Sequence, residues 1–300
     1  MLLKKYKSLM LPLAIIIGVL FSKWLHSLVN LVPFFVFMVL FFAYSGLNFH
    51  KMRITKLNIV LLIVHFLTAI GVYWLCTLFF NPIVAKGVLV GVICPVAAAA
   101  SAVVVALGGN REICVVHILL DNFFICIAAP IMFSLAESSA DISFIASALI
   151  LLGKLFPVVI LPLLLVILLR KLTPNFAITL KKYEWLSILF WSMALLLNMA
   201  ATGWAVIEIG KEFKAEIIIM IVLAFVMCVA QFGFGRLLGR QFNEKVVCAQ
   251  AIGQKNTGLG IWMAYTYFSN PLTTMYAAAY AVFQNIFNSI QMYLHDKKKR

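Results

Sequence analysis

Long apolar blocks, separated by short polar or basic turns, make up nearly all of this 300-residue chain. A helix that spans a bilayer needs about 20 mostly apolar residues. Ten stretches fit that pattern: 8–23, 31–47, 58–80, 86–107, 113–134, 142–169, 184–207, 216–234, 246–267 and 272–294. Turn-forming groups stand between them, such as Asn81-Pro82, Gly108-Gly109-Asn110 and Asn270-Pro271. The sixth stretch is long and holds Lys154 and Pro157, so it is expected to begin at the interface before it crosses. The first follows Lys4, Lys5 and Lys7 and has the charge pattern of a signal peptide, but no small-residue cleavage site follows it. It is read as the first spanning helix.

Composition narrows the class. Hydrophobic residues are 64 % of the chain and charged residues 11 %, against roughly a quarter charged in a soluble domain. So little charge cannot face water over a surface of this size. A soluble enzyme, a disordered chain and a nucleic-acid binder are excluded, and the expected environment is a lipid bilayer. The net charge of +14 sits in short clusters between apolar blocks, the layout of cytoplasmic loops. With a cytoplasmic N-terminus, the inner ends and loops hold 18 of the 24 Lys and Arg residues, from Lys4 through Arg111 and Arg170 to Arg300. The outer loops hold four: Lys23, Lys86, Lys211 and Lys214. Lys154 and Lys255 fall inside stretches. The bias predicts ten crossings in the cell's inner (plasma) membrane, with both termini in the cytoplasm.

Ten crossings divide into two units of five, about 1–136 and 141–296 within a single domain 1–300. A duplicated odd unit gives two halves of opposite orientation, the inverted-repeat plan of many secondary transporters. The fourth and ninth stretches then correspond, and both lose their apolar pattern midway. The fourth reads Cys94-Pro95-Val96, then Ala97 to Ala100 and Ser101. The ninth reads Gln250-Ala251-Ile252-Gly253-Gln254-Lys255-Asn256-Thr257-Gly258. A lipid-exposed helix would not carry Gln, Lys and Asn at bilayer depth. The fold expected is therefore all-α, with two broken helices that cross near the midplane.

These stretches resemble the bile acid:sodium symporter family. Cys94-Pro95 through Ala99-Ala100-Ser101 to Leu107-Gly108-Gly109-Asn110 is similar to that family's C-P-G-G-T-A-S-N…L-A-x-G-N. Ala251 to Leu259 resembles its E-x-G-x-Q-N-x-x-L, and Ala281-Val282-Phe283-Gln284-Asn285 its S-V-W-H-N. Ser45-Gly46-Leu47 is loosely similar to its M-G-x-x-L region. The resemblance implies a panel part, a core part with two crossed broken helices, and two sodium ions beside an organic anion in the cleft. The departures imply otherwise for the ions. The family's sodium-binding Ser and Asn fall on Ala100 and Ser101, two hydroxyl residues on Cys114 and Ile118, and the Glu and Gln on Ala251 and Lys255. Only Ser101 keeps a side-chain oxygen, whereas a hard cation needs several. Lys255 puts an ammonium where the family holds a cation.

A charged Lys at bilayer depth costs about 2.5–3.5 kcal/mol on insertion scales, so Lys255 has to pair, lose its proton or line a wet cavity. Asp121 in the fifth stretch is the expected partner, forming either a switchable pair or a permanent salt bridge. Asp121-Asn122 facing a lysine also resembles sodium/proton antiporters of related architecture. His117, four residues before Asp121 on the same helix face, is a candidate proton relay or a neutral, backbone-bonded side chain. Asn256 and Thr257, with Ser101, Gln284 and Asn285, are the candidate substrate contacts. His65, alone in its stretch, is expected to pack, and Asn198 and Thr202 to hydrogen-bond between helices. Arg111 and Glu112 are expected as a solvated loop pair. The six cysteines (Cys76, Cys94, Cys114, Cys126, Cys228 and Cys248) include no C-x-x-C and are expected to be small packing residues in a reduced protein.

No catalytic or nucleotide-binding motif is present, and no metal or other cofactor is expected. The sequence thus points to a secondary transporter of a small organic anion, a carboxylate, working by alternating access. Coupling is expected through protons or to be absent, in place of sodium. A sodium-coupled symporter, a cation/proton antiporter using Asp121, and a non-transporting sensor are the alternatives.

Overall fold

The structure, a computed structural model, describes residues 7–136, 145, 146, 149, 153, 156–209 and 214–298. Lys154, Lys211 and most of the expected sixth stretch before residue 156 lie outside the described residues. The described chain is all helical, with a single isolated β-bridge. Its helices are α1 (Lys7–Leu20), α2 (Val32–Ser45), α3 (Lys56–Phe79), α4 (Pro82–Ile93), α5 (Ala100–Ala106) and α6 (Arg111–Ala136). A π-helical turn at Phe156–Ile160 leads into α7 (Leu161–Leu172). Then come α8 (Pro174–Lys181), α9 (Leu186–Ile209), α10 (Lys214–Gln241), α11 (Lys245–Gly253), α12 (Thr257–Tyr267) and α13 (Met275–Lys298).

Local chemistry sets several starts. Thr55 and Asn58 form a reciprocal capping box at α3. Asn81 caps α4 by accepting from Val84 N at 3.0 Å, with Pro82 at the first helical position, where its missing N–H is no loss. This carries α4 four residues beyond its expected start. The short helix α8 was not anticipated; Pro174 opens it.

Among the described residues, four segments are long and apolar enough to cross a membrane: Ser22–Ser45, Lys56–Phe79, Arg111–Ala136 and Lys214–Gln241. Shorter apolar helices lie at Leu9–Leu20, Pro82–Ile93 and Leu186–Ala201. Outward faces are apolar too: Leu67, Trp74, Leu78 and Ile218 are each at least 60 % exposed, as suits lipid rather than water.

The helices sort into two packed bodies. In one, the panel, α9 packs on α1 and α2, and α7 also packs on α2. Phe42 and Phe190 stack there at 5.7 Å. In the other, the core, α3 packs on α4 and α6, while α10 packs on α11 and α13. Gly235 lets α10 approach the backbone of α11 at Cys248 and Ala249, where a side chain would collide. An apolar layer that includes Leu11, Val39, Val103, Leu195, Ala281 and Met292 lies between panel and core.

Polar contacts link the two bodies at one end. Arg111 at the start of α6 pairs with Glu184 before α9, and Glu112 accepts from Asn48 N at 3.0 Å. Within the panel, Arg170 of α7 donates to Ser45 O at the end of α2 at 2.7 Å and lies 4.6 Å over the Phe49 ring. The expected Arg111–Glu112 loop pair is thus replaced by contacts across the seam. Adjacent residues on a helix point about 100° apart, so each reaches a different neighbour.

Candidate functional site

Two helix interruptions build the site. Pro95 has no N–H and pushes Cys94 into an extended conformation (φ −49°, ψ 134°), which ends α4. Gln254 is extended as well (φ −99°, ψ 102°), which ends α11. Each break frees backbone groups that must find partners in an apolar interior. The breaks first satisfy each other. Val96 and Lys255 form an antiparallel bridge, with Ala97 N donating to Gln254 O at 3.0 Å and Asn256 N to Pro95 O at 2.8 Å.

Side chains take up the remainder. The helical bond from Val96 N to Val92 O is lost, and two residues replace its halves. Asp121 Oδ2 accepts from Val96 N at 2.7 Å, and His65 Nε2 lies 2.9 Å from Val92 O. Asn122 Nδ2 donates to Val96 O at 3.3 Å. Gln284 grips the Lys255 peptide from both sides, accepting from its N–H at 2.8 Å and donating to its carbonyl at 3.0 Å. The Tyr280 hydroxyl lies 2.7 Å from Gly253 O. Asn256 Oδ1 caps α12 by accepting from Leu259 N at 3.2 Å.

Lys255 is buried, and its Nζ stands 2.8 Å from His65 Nε2. His65 Nδ1 in turn stands 2.7 Å from Asp121 Oδ1. The expected lysine–aspartate contact is therefore an indirect one, with an imidazole between. Two N–H groups facing each other at 2.8 Å would repel, so one of the two nitrogens accepts from the other: either the Lys255 amine donates to Nε2, or Nε2–H donates to the amine and Val92 O.

Beside the crossing lies a small cavity of about 60 Å³. Ala97–Ala99, Gln254–Gly258, Gln284 and Asn285 line it from the core, and Val36, Trp191 and Asn198 from the panel. Lys255, Asn256, Thr257, Gln284 and Asn285 thus share one wall. Ser101 does not join them; it is buried and donates to Ala98 O at 2.9 Å. The amine of Lys255 is turned toward His65, which is not a lining residue. His117 is buried with its Nδ1 unpartnered, one turn from Asp121, and bonds to none of the triad. Cys114, Ile118 and Ala251 are buried too, and all six cysteines are free and buried.

Sequence reasoning missed two residues. His65 was read as packing, because a lone histidine 56 positions from Asp121 and 190 from Lys255 gives no local signal. Its spacing from Lys56, well inside an apolar stretch, was the available hint of a partnered polar group. Asn198 was assigned to helix contacts, and instead it faces Gly258 across the cavity at 3.8 Å from where a Cβ would stand. The side chain of Thr202 lies outside the described residues.

An apolar multi-helix chain whose interrupted helices pair beside a polar cavity has the build of a membrane transporter. Residues 35–295 match the SBF-like CPA transporter family (DUF4137), and the chain belongs to that family, which is of the bile acid:sodium symporter type. It is a multi-pass membrane transporter of a small substrate. A search of curated proteins finds no match.

Proposed function

We propose that this protein is a secondary active transporter that carries a small organic anion by alternating access and is coupled to protons rather than sodium. The observation that carries this reading is the cavity wall: Asn198, Asn256, Thr257 and the start of α12 line it, and no acidic side chain does. Hydroxyl and amide donors beside a helix N-terminus favour a carboxylate over a cation. The panel and core are the two bodies that would rock against each other across their apolar seam. In this reading the chain forms one domain with ten spans, as inverted repeats of about 1–136 and 141–296. Both termini face the cytoplasm from the inner (plasma) membrane, in keeping with the 18-to-4 bias of basic residues.

Sodium fits poorly at the crossing. Ala100, Cys114, Ile118 and Ala251 offer no side-chain oxygen, and the Ser101 hydroxyl is engaged with Ala98 O. In this reading Lys255 and His65 carry one positive charge between them in place of sodium, and an ionised Asp121 balances it. A monovalent anion entering beside the triad adds one negative charge, and a proton taken up by Asp121 restores neutrality. Anion and proton travel together.

Uptake of labelled short carboxylates into proteoliposomes tests this. The expected result is uptake unchanged when choline replaces sodium and driven by an inward proton gradient. A clear sodium requirement would mean the sodium-coupled alternative. A second reading, a cation/proton antiporter, is favoured by the full burial of Asp121 behind the break. It predicts proton release evoked by an inorganic cation with no organic substrate present.

A further inference from the structure

We propose that α8 and the linker between α2 and α3 form a docking surface for anionic phospholipids. The surface lies far from the cavity and holds whatever the substrate. Residues 161–183 carry Arg170, Lys171, Lys181 and Lys182 and no acid, and residues 46–57 carry Lys51, Arg53 and Lys56 and no acid. Folding joins the two segments. Arg170 donates to Ser45 O and lies 4.6 Å over the Phe49 ring of the linker, and α8 packs on α2 with Leu180 buried. Lys51, Arg53, Lys56, Lys171 and Lys182 are all exposed. The first acid that follows in the chain, Glu184, pairs with Arg111.

Apolar side chains are interleaved with these charges. Leu172, Phe176, Tyr183 and Ile54 are each at least 48 % exposed. Thr173 (φ −136°, ψ 68°) ends α7, and Pro174 opens α8 directly after it. The patch therefore continues from the exposed apolar side of α7, where Leu164, Ile167 and Leu168 stand. Free phosphate or an acidic peptide would answer the charges and leave the apolar side chains in water. A phospholipid answers both: the apolar groups enter the boundary of the acyl region, while Lys and Arg reach the headgroup phosphates. A dense basic cluster beside a spanning helix is the pattern that binds anionic lipid. The bias of basic residues assigns this end to the cytoplasm, where the leaflet that carries such lipid lies.

The test uses the full chain with Thr179→Cys, an exposed position on α8, labelled with bimane; the six native cysteines are buried. The labelled protein is reconstituted in vesicles of phosphatidylcholine and phosphatidylglycerol, with bromine on one lipid or on an equal amount of the other. Brominated acyl chains quench the label on contact. Phosphatidylglycerol is expected to be enriched around the label about fivefold, the weight of one basic side chain at an anionic surface, and high salt should reduce that preference. Lys171→Gln/Lys182→Gln should bring the preference toward one while quenching persists. Phe176→Gln should weaken quenching by both lipids. All three changed side chains are exposed, so folding should be unaffected. Equal quenching by the two lipids overturns the proposal, because the surface then meets lipid without reading its charge. Absence of quenching overturns it too, because α8 then lies in water. In detergent, a short-chain phosphatidylglycerol should raise the thermal stability of the unlabelled chain and inorganic phosphate should not; equal stabilisation by phosphate would mean a site for a free anion and would also overturn the proposal.

Discussion

Lys255 and His65, 190 positions apart, meet at 2.8 Å between Nζ and Nε2. Asp121 holds the far side of the ring. This makes the histidine less replaceable than the lysine. In Lys255→Met, His65 can still bond Asp121 and Val92 O. In His65→Ala, Asp121 Oδ1, Val92 O and the Lys255 amine all lose a partner. We expect His65→Ala to destabilise by about 3–5 kcal/mol, as for a broken buried pair, and Lys255→Met by markedly less. Thermal unfolding of detergent-purified variants checks the order.

The proposed neutral triad predicts a stoichiometry. One proton should enter with each monovalent anion, so transport should be electroneutral. Vesicles loaded with a pH dye should acidify in step with labelled uptake, at a ratio of about one, and a valinomycin-set potential should not alter the rate. Since the proton comes from the side of uptake, lowering external pH should speed uptake and lowering internal pH should slow it. In Asp121→Asn the pH dependence should vanish together with gradient-driven accumulation.

The resemblance to sodium-coupled relatives invites a direct exchange at the crossing. Lys255→Gln supplies an amide oxygen like the relatives' glutamine, yet Ala251 and Ile118 still lack oxygens. We expect weaker anion binding and no sodium dependence. Binding titrations in sodium and in choline check both. A return of sodium dependence would show that backbone carbonyls at the breaks suffice for the ion.

How much of this was legible in the sequence depended on range. The helix breaks were, because Pro95 and the Gln254–Thr257 run interrupt apolar stretches locally, and their mutual pairing follows from having to satisfy freed backbone groups. The division of labour among polar side chains was not. Gln284 and Asn256, expected as substrate contacts, both line the cavity, and each also has a duty the sequence did not signal: Gln284 holds the Lys255 peptide, and Asn256 caps α12 with its oxygen. Both are backbone duties that exist only once the chain is folded. His65 and Asn198 were misread for the same reason: the groups that give them meaning lie on distant helices.

The seam between panel and core has its own ionic contact. Arg111 of the core and Glu184 of the panel pair at the end that the basic-residue bias assigns to the cytoplasm. Gly46 lies so close to both side chains that a Cβ there would overlap the Arg111 guanidinium. Opening the cavity toward that side requires the two bodies to part here, so the pair should hold this end shut. A half-buried pair is worth about 1 kcal/mol, or about fivefold in the population of the open form. Glu184→Gln and Gly46→Ala should each raise, by about that factor, the rate at which a membrane-impermeant thiol reagent modifies a cysteine placed at Asn198 in inside-out vesicles. The charge-swapped Arg111→Glu/Glu184→Arg variant should bring the rate back. If Glu184→Gln leaves the rate unchanged, the pair is not part of the gate, and the apolar layer around Val103 and Leu195 must hold the two bodies together by itself.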